Sequence, residues 1–109
     1  MTALDTSQLL KGILEGCLLS IIAKGETYGY EMIEKLEQYG LTMVKEGSIY
    51  PLLLRMRKEN LVAVKTKAVP SGGPQRKYYY ITEDGIAALE HFKKNWAEIS
   101  TSVNKILNT

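Results

Sequence analysis

The sequence predicts a mainly helical α+β domain, in which three helices precede a two-stranded hairpin and a long final helix. Two observations carry this prediction. Apolar residues recur at helical spacing in four separate segments, and between the third and fourth segments the pattern changes to two strands around a turn rich in proline and glycine. Because the chain has 109 residues and shows no linker or internal repeat, we expect a single domain over residues 1–109.

The first three helices follow from apolar stripes and from the residues that end them. A long first helix is predicted from a stripe that steps by three and by one until Gly25 ends it. That stripe consists of Leu10, Ile13, Leu14, Cys17, Leu18, Ile21 and Ile22. We expect the second helix to begin at Thr27, whose hydroxyl can accept from free amides of the first turn, and to end at Gly40. Gly47 is expected to open the third helix and Asn60 to end it.

The hairpin and the last helix come next along the chain. Leu61 to Val69 and Arg76 to Ile81 are predicted as strands, because both are rich in valine or tyrosine and flank the turn Pro70-Ser71-Gly72-Gly73-Pro74. Thr82 is expected to cap the final helix. The apolar residues of that helix are spaced by three and four, which is close to a heptad seam and predicts pairing with a second copy. The residues expected to dimerise are Leu89, Trp96, Ile99, Val103 and Ile106.

Positive charge is concentrated in one third of the chain. Between Lys45 and Lys77, eight basic residues stand against two acidic ones, a net charge of +6. Since the net charge of the whole chain is +2, the residues outside this segment carry a net charge of −4. This asymmetry is typical of a protein with one face for nucleic acid.

The order of elements predicts a winged helix-turn-helix over residues 8–82, followed by a dimerisation helix over residues 83–107. In such a module the third helix enters the major groove and the hairpin, or wing, reaches the backbone beside it. Free amides at the helix start and hydroxyl groups can bind phosphate, glycines at the wing tip allow close approach, and Arg55 or Arg57 could read guanine. The residues expected to contact DNA are Lys45, Ser48, Tyr50, Arg55, Gly72, Gly73, Arg76 and Lys77.

Four motifs between Leu9 and Leu107 resemble the PadR family of transcriptional regulators in order and spacing. They are Tyr28-Gly29-Tyr30-Glu31, Gly47-Ser48-Ile49-Tyr50-Pro51-Leu52-Leu53, Gly72-Gly73-Pro74-Gln75-Arg76-Lys77-Tyr78-Tyr79 and Ile81-Thr82-Glu83-Asp84-Gly85. The resemblance is to the short branch with one C-terminal helix. It implies a homodimeric repressor that binds a near-palindromic operator in double-stranded DNA. It also adds Tyr28, where the family commonly has histidine, to the expected DNA contacts.

Two interpretations of Trp96 stay open. It can be a core residue of the dimer interface, or it can line a pocket at the dimer centre that stacks a planar apolar or phenolic ligand, as the resemblance implies for some family members. The residues expected around such a pocket are Leu10, Ile13, Leu14, Cys17, Phe92 and Trp96. A ligand there would change the angle between the subunits and release the repressor from DNA.

Other classes of function are disfavoured by the composition. One cysteine and one histidine cannot form a metal-ligand cluster or an intramolecular disulfide, so we expect neither a metal nor a cofactor. No nucleophile with a base, nor a pair of catalytic carboxylates, can be assembled, which argues against an enzyme. No apolar run has the length of a membrane span and the N-terminus lacks a signal-peptide pattern, which predicts a cytoplasmic protein. The remaining alternative is a protein-interaction module that pairs through its last helix without binding DNA.

Overall fold

The computed structural model describes residues 6–109, which form helices around one antiparallel sheet of two strands. This is the α+β architecture that the sequence predicts. The elements are α1 (Thr6–Leu10), α2 (Leu14–Ala23), α3 (Gly29–Gln38), α4 (Glu46–Lys58), β1 (Val62–Lys67), β2 (Arg76–Ile81) and α5 (Glu83–Leu107).

The prediction of one long first helix is wrong at its start. Residues 11–13 form a turn between α1 and α2, in which the Ile13 amide donates to the Leu10 carbonyl at 2.9 Å. Gly12 lies in this turn, where its low helix propensity favours a break. The apolar stripe continues across the turn because Leu10 and Leu14 are both buried in the same core. The spacing of the apolar residues therefore predicted correctly which side chains are buried, but it did not predict the turn between α1 and α2.

The prediction that Thr27 caps the second helix is also wrong. Helix α3 begins two residues later, with Tyr28 as its extended N-cap residue. The Thr27 amide donates to the Tyr79 carbonyl at 3.1 Å, and the Tyr79 amide donates back at 2.7 Å. The Thr27 hydroxyl donates to the Glu31 carboxylate at 2.6 Å. Because its backbone is paired with β2, Thr27 ties the α2–α3 loop to the wing.

The core lies between α2, α3 and α4, and α1, both strands and α5 each add one buried residue to it, namely Leu10, Val62, Tyr79 and Leu89. Its fully buried side chains are Leu18, Ile22, Met32, Ile49, Leu53, Met56 and Val62. Asn60, with φ of 61°, ends α4 in the left-handed conformation, as predicted. The chain then enters the wing, whose strands pair from Val62 with Ile81 to Lys67 with Arg76.

Helix α5 begins against the wing and then leaves the body of the protein. The Gly85 amide donates to the Thr82 hydroxyl at 3.0 Å, which confirms the predicted cap. Leu89 is buried in the core, and the Phe92 ring lies so close to Gly16 that a Cβ there would be 2.4 Å from it. Beyond Phe92, nearly every residue of α5 is exposed. The 25-residue helix is roughly 37 Å long, so most of it extends past the core.

Candidate nucleic-acid interface

Helices α3 and α4 and the wing meet at a cleft of about 590 Å³. The cleft contains four of the residues predicted to contact DNA. Its lining consists of Tyr28, Gly29, Tyr30, Glu46, Tyr50, Gln75, Arg76, Lys77 and Tyr79. Lys45 and Ser48 are exposed at the start of α4. The structure therefore brings the first turn of α4 and the tip-side half of β2 to one surface.

Tyr28 fixes the position of Arg76 on the wall of this cleft. The Arg76 guanidinium lies 4.1 Å from the centroid of the Tyr28 ring. The ring of Tyr78 meets Tyr28 edge-on at 5.4 Å between centroids. A cation held on an aromatic face keeps its charge and loses side-chain freedom, so Arg76 is partly organised before any ligand arrives.

Tyr50 is held at the floor of the cleft by Glu46 and by the absence of a side chain at Gly29. The Tyr50 hydroxyl donates to Glu46 Oε1 at 2.5 Å. A Cβ at Gly29 would be 2.6 Å from the Tyr50 hydroxyl oxygen, so only glycine leaves room for the phenol. The hydrogen bond to Glu46, followed by burial, raises the pKa of Tyr50 to about 12. The hydroxyl therefore keeps its proton at neutral pH, and it donates this single proton to Glu46.

The wing tip is shaped by two glycines in the left-handed region. Gly72 has φ of 84° and Gly73 has φ of 91°, a conformation that residues with a Cβ adopt at a cost. The Gly72 amide donates to the Val69 carbonyl at 2.9 Å and closes the turn. Residues 70–75 are exposed. The tip thus presents bare backbone to solvent next to Arg76.

Two lysines of β1 form ion pairs with Glu26, which lies outside the wing. Lys67 donates to the Glu26 carboxylate, and Lys65 lies 3.9 Å from the same group. The hydrogen bond from Lys67 lowers the pKa of Glu26. These pairs attach β1 to the α2–α3 loop and offset part of the positive charge that the sequence concentrates in this region.

The structure does not bring Arg55 to the cleft. Its guanidinium donates to the Glu15 carboxylate of α2, on another side of α4, and this hydrogen bond raises the pKa of Arg55. Five cleft residues were not among the predicted DNA contacts, namely Gly29, Tyr30, Glu46, Gln75 and Tyr79. All of them except Glu46 lie inside the motifs that resemble the PadR family. Glu46 could have been found from its spacing of four residues from Tyr50, which puts the two on one helix face.

Among the described residues, those predicted to line an effector pocket border different depressions of one protomer. Leu10 and Leu14 border a depression of about 250 Å³ next to Ser48. Phe92 borders another, of about 430 Å³, and Cys17 a third, of about 220 Å³. Ile13 packs against the core, and Trp96 projects from α5 with 47% of its surface exposed. Burial raises the pKa of the Cys17 thiol.

The predicted dimerisation residues divide into two groups. Leu89 is only 6% exposed and packs in the core of its own protomer. The other four leave 44–70% of their surface exposed along α5. These four are Trp96, Ile99, Val103 and Ile106. We call them the α5 seam.

Among the described residues 6–109, no group of three or more histidine, cysteine or acidic side chains could hold a metal ion. No helix in the same range is both long and apolar enough to cross a membrane.

Comparisons with known proteins identify the family. Residues 18–91 match the model of the transcriptional regulator PadR-like family. The chain belongs to the PadR-like family. This confirms the resemblance, the winged helix-turn-helix fold and the role in transcription regulation. The family consists of regulators and not of enzymes, in agreement with the prediction from the sequence.

Relatives of this PadR-like protein match it over nearly their whole length. A PadR-like transcriptional regulator of Bacillus cereus is 55% identical, with a TM-score of 0.83 over 94% of this chain and 99% of that chain. A Streptococcus transcriptional regulator is 37% identical, with a TM-score of 0.79 over 91% of this chain and 96% of that chain. An uncharacterized protein of Lysinibacillus sphaericus is 30% identical over 90% of this chain and 91% of its own length.

Proposed function

We propose that this PadR-like protein is a repressor that binds a near-palindromic operator in double-stranded DNA as a homodimer. The observation that carries this proposal is the cleft between α4 and the tip-side half of β2. There the Tyr50 hydroxyl, Arg76 and Lys77 lie together beside the start of α4. Donors and fixed cations of this kind bind phosphate oxygens, and phosphate contacts set the register of a helix in the major groove.

In this proposal, α4 enters the major groove and the wing follows the adjoining backbone. The residues that make the contacts are Tyr28, Lys45, Ser48, Tyr50, Gly72, Gly73, Arg76 and Lys77. Arg55 joins them only if DNA draws its guanidinium away from Glu15. Two copies would engage half-sites about one helical turn apart, which accounts for a near-palindromic operator.

The α5 seam supports the homodimer. Apolar side chains that remain exposed on a protruding helix are stabilised when a second copy covers them, at roughly 25 cal/mol for each Å² removed from water. The seam recurs at heptad spacing, which suits pairing of two helices. We expect the dimer in the cytoplasm, together with its DNA.

An effector would act through the same helices. We infer that a planar apolar or phenolic ligand stacks between Trp96 and its symmetry mate, changes the angle between subunits and weakens operator binding. The support is the indole of Trp96, which leaves 47% of its surface exposed on α5. Trp96 is the only tryptophan, so quenching of its fluorescence reports binding directly.

The experiment that tests the proposed function is fluorescence anisotropy with the DNA just upstream of the protein's own gene, across a salt series and against unrelated duplex. Wild type is compared with the double variant Arg76→Ala/Lys77→Ala. Each lost phosphate contact reduces the salt slope by roughly 0.9, so two cations in each of two protomers reduce it by up to about 3.6. The matched control is Lys93→Ala/Lys94→Ala, which removes the same charge from the exposed surface of α5.

Equal losses in the two double variants would show that only net charge matters and that the cleft is not the phosphate site. Weak wild-type binding that is the same for every duplex would contradict operator recognition. That result would favour the protein-interaction module, in which the α5 seam pairs with another protein.

A further inference from the structure

The outward face of α4 is almost free of hydrogen-bonding side chains. Ile49, Leu53 and Met56 point into the core. The residues on the opposite side follow one another at spacings of four, three and four, which places them on one helix face. They are Gly47, Pro51, Leu54 and Lys58, all exposed. Leu54 leaves 54% of its surface in solvent, and a Cβ at Gly47 would meet no atom within 4 Å.

The polar side chains of α4 are turned to its two flanks. Tyr50 faces the cleft and donates to Glu46. On the other flank Arg55 donates to Glu15, and Ser48 borders the depression next to Leu14. Arg57 is exposed seven residues after Tyr50 and therefore lies on the same flank as Tyr50, so only Lys58, at the C-terminal end, puts a charged group on the outward face. The helix therefore presents an apolar strip between polar margins.

This pattern fits a major groove that presents thymine. Phosphates lie at the edges of the groove, where Lys45, Arg76 and Lys77 carry positive charge. At the floor of the groove, the C5-methyl group of thymine is the apolar group among the base edges. An exposed leucine and a proline ring complement a methyl group, whereas neither can satisfy the donors and acceptors of guanine or cytosine.

We propose that Pro51 and Leu54 read thymine methyl groups in the operator, and that Gly47 lets α4 approach the bases closely. This inference rests on the proposed function, because it assigns the base-reading part of the same interface. It predicts a sequence preference that depends on methyl groups more than on hydrogen bonds.

The test uses duplexes that wild-type protein selects from a random library. Each dT of the selected half-site is replaced in turn by dU, which removes the methyl group and leaves every hydrogen-bonding group in place. Anisotropy measures affinity at fixed salt. We expect one or two positions at which the replacement weakens wild-type binding by roughly fourfold, or about fifteenfold when both half-sites are changed.

Variants then assign the effect to Leu54. In Leu54→Ala, at least one of these dU replacements should change the affinity by less than about twofold, while Leu54→Met, which keeps an apolar side chain, should retain the wild-type loss at that position. Both variants should fold, since Leu54 is exposed. The control is Tyr39→Ala, which removes a side chain that is 73% exposed at the end of α3 and should leave the dU effect intact.

Two results would overturn the inference and leave the proposed function standing. One is a wild-type protein that prefers its selected duplexes but tolerates dU at every position. The other is a dU effect that keeps its full size at every sensitive position in Leu54→Ala. A wild-type protein that selects no sequence at all would overturn both the inference and the proposed function.

Discussion

Replacing Gly29 by alanine tests whether the cleft acts through Tyr50. Gly29 is the first residue of α3, and its missing side chain makes room for the phenol. The new Cβ would be 2.6 Å from the Tyr50 hydroxyl oxygen and 2.9 Å from Cε1. Since ordinary contacts begin near 3.5 Å, the tip of the ring must move by about 0.9 Å. That displacement is enough to break the 2.5 Å hydrogen bond to Glu46.

The expected loss is large for DNA binding and small for stability. In the proposed complex the Tyr50 hydroxyl turns its one proton from Glu46 to a phosphate oxygen, a hydrogen bond worth roughly 1.5–3 kcal/mol, and the dimer loses two of these bonds. Operator affinity should therefore fall by about 10²- to 10⁴-fold. The crowding costs about 1–3 kcal/mol in folding, offset by up to about 1 kcal/mol because alanine favours the helix. The protein should remain folded at 25 °C.

The assay is anisotropy with the operator in a double-mutant cycle. Gly29→Ala is made in wild type and in Tyr50→Phe, and circular dichroism checks folding. If Gly29→Ala acts through the hydroxyl, it should add little to the loss already caused by Tyr50→Phe. The reasoning is refuted if Gly29→Ala binds within threefold of wild type, or if its cost is the same in both backgrounds.

Three further predictions concern folding and assembly. Gly85→Ala should lower the free energy of unfolding by about 1–3 kcal/mol, because the new Cβ would be 2.0 Å from the Leu61 carbonyl oxygen. Thermal denaturation measures this loss, and an unchanged Tm would contradict the close approach of Gly85 to Leu61. Ile99→Asp should convert the dimer to a 12.2 kDa monomer, as measured by light scattering. If the variant remains a dimer, the α5 seam is not the dimer interface. Because Lys67 lowers the pKa of Glu26, this carboxylate stabilises the fold above its ordinary pKa of 4.5 and loses that effect as the pH falls. Wild type and Glu26→Gln should therefore differ in Tm at pH 6, and the two Tm values should converge below pH 4.5. A Tm difference that does not change with pH would show that the ion pair of Glu26 with Lys67 does not stabilise the fold.

Most helices and strands were predicted correctly because their bounds depend on residues that are close in the sequence. The cap at Thr82 and the left-handed end at Asn60 are short-range effects, and both are present in the structure. Strand β2 has the predicted bounds, because three consecutive tyrosines favour a strand in this position. The break after Leu10 and the start of α3 were missed, since the first lies within a stripe that stays buried and the second depends on Tyr79, more than 50 residues away.

The sequence by itself determined the family, the order of elements and the region that carries the positive charge, because motifs and charges are properties of residue type and spacing. Only the tertiary structure decided which of these groups act together. It brought Tyr28 and Arg76 into one cleft, since pairing of β2 with the α2–α3 loop joins segments far apart in the chain. It also turned Arg55 toward Glu15 and left Leu54 facing outward. Spacing gives the face of a helix, whereas what lies opposite that face depends on how the helices pack.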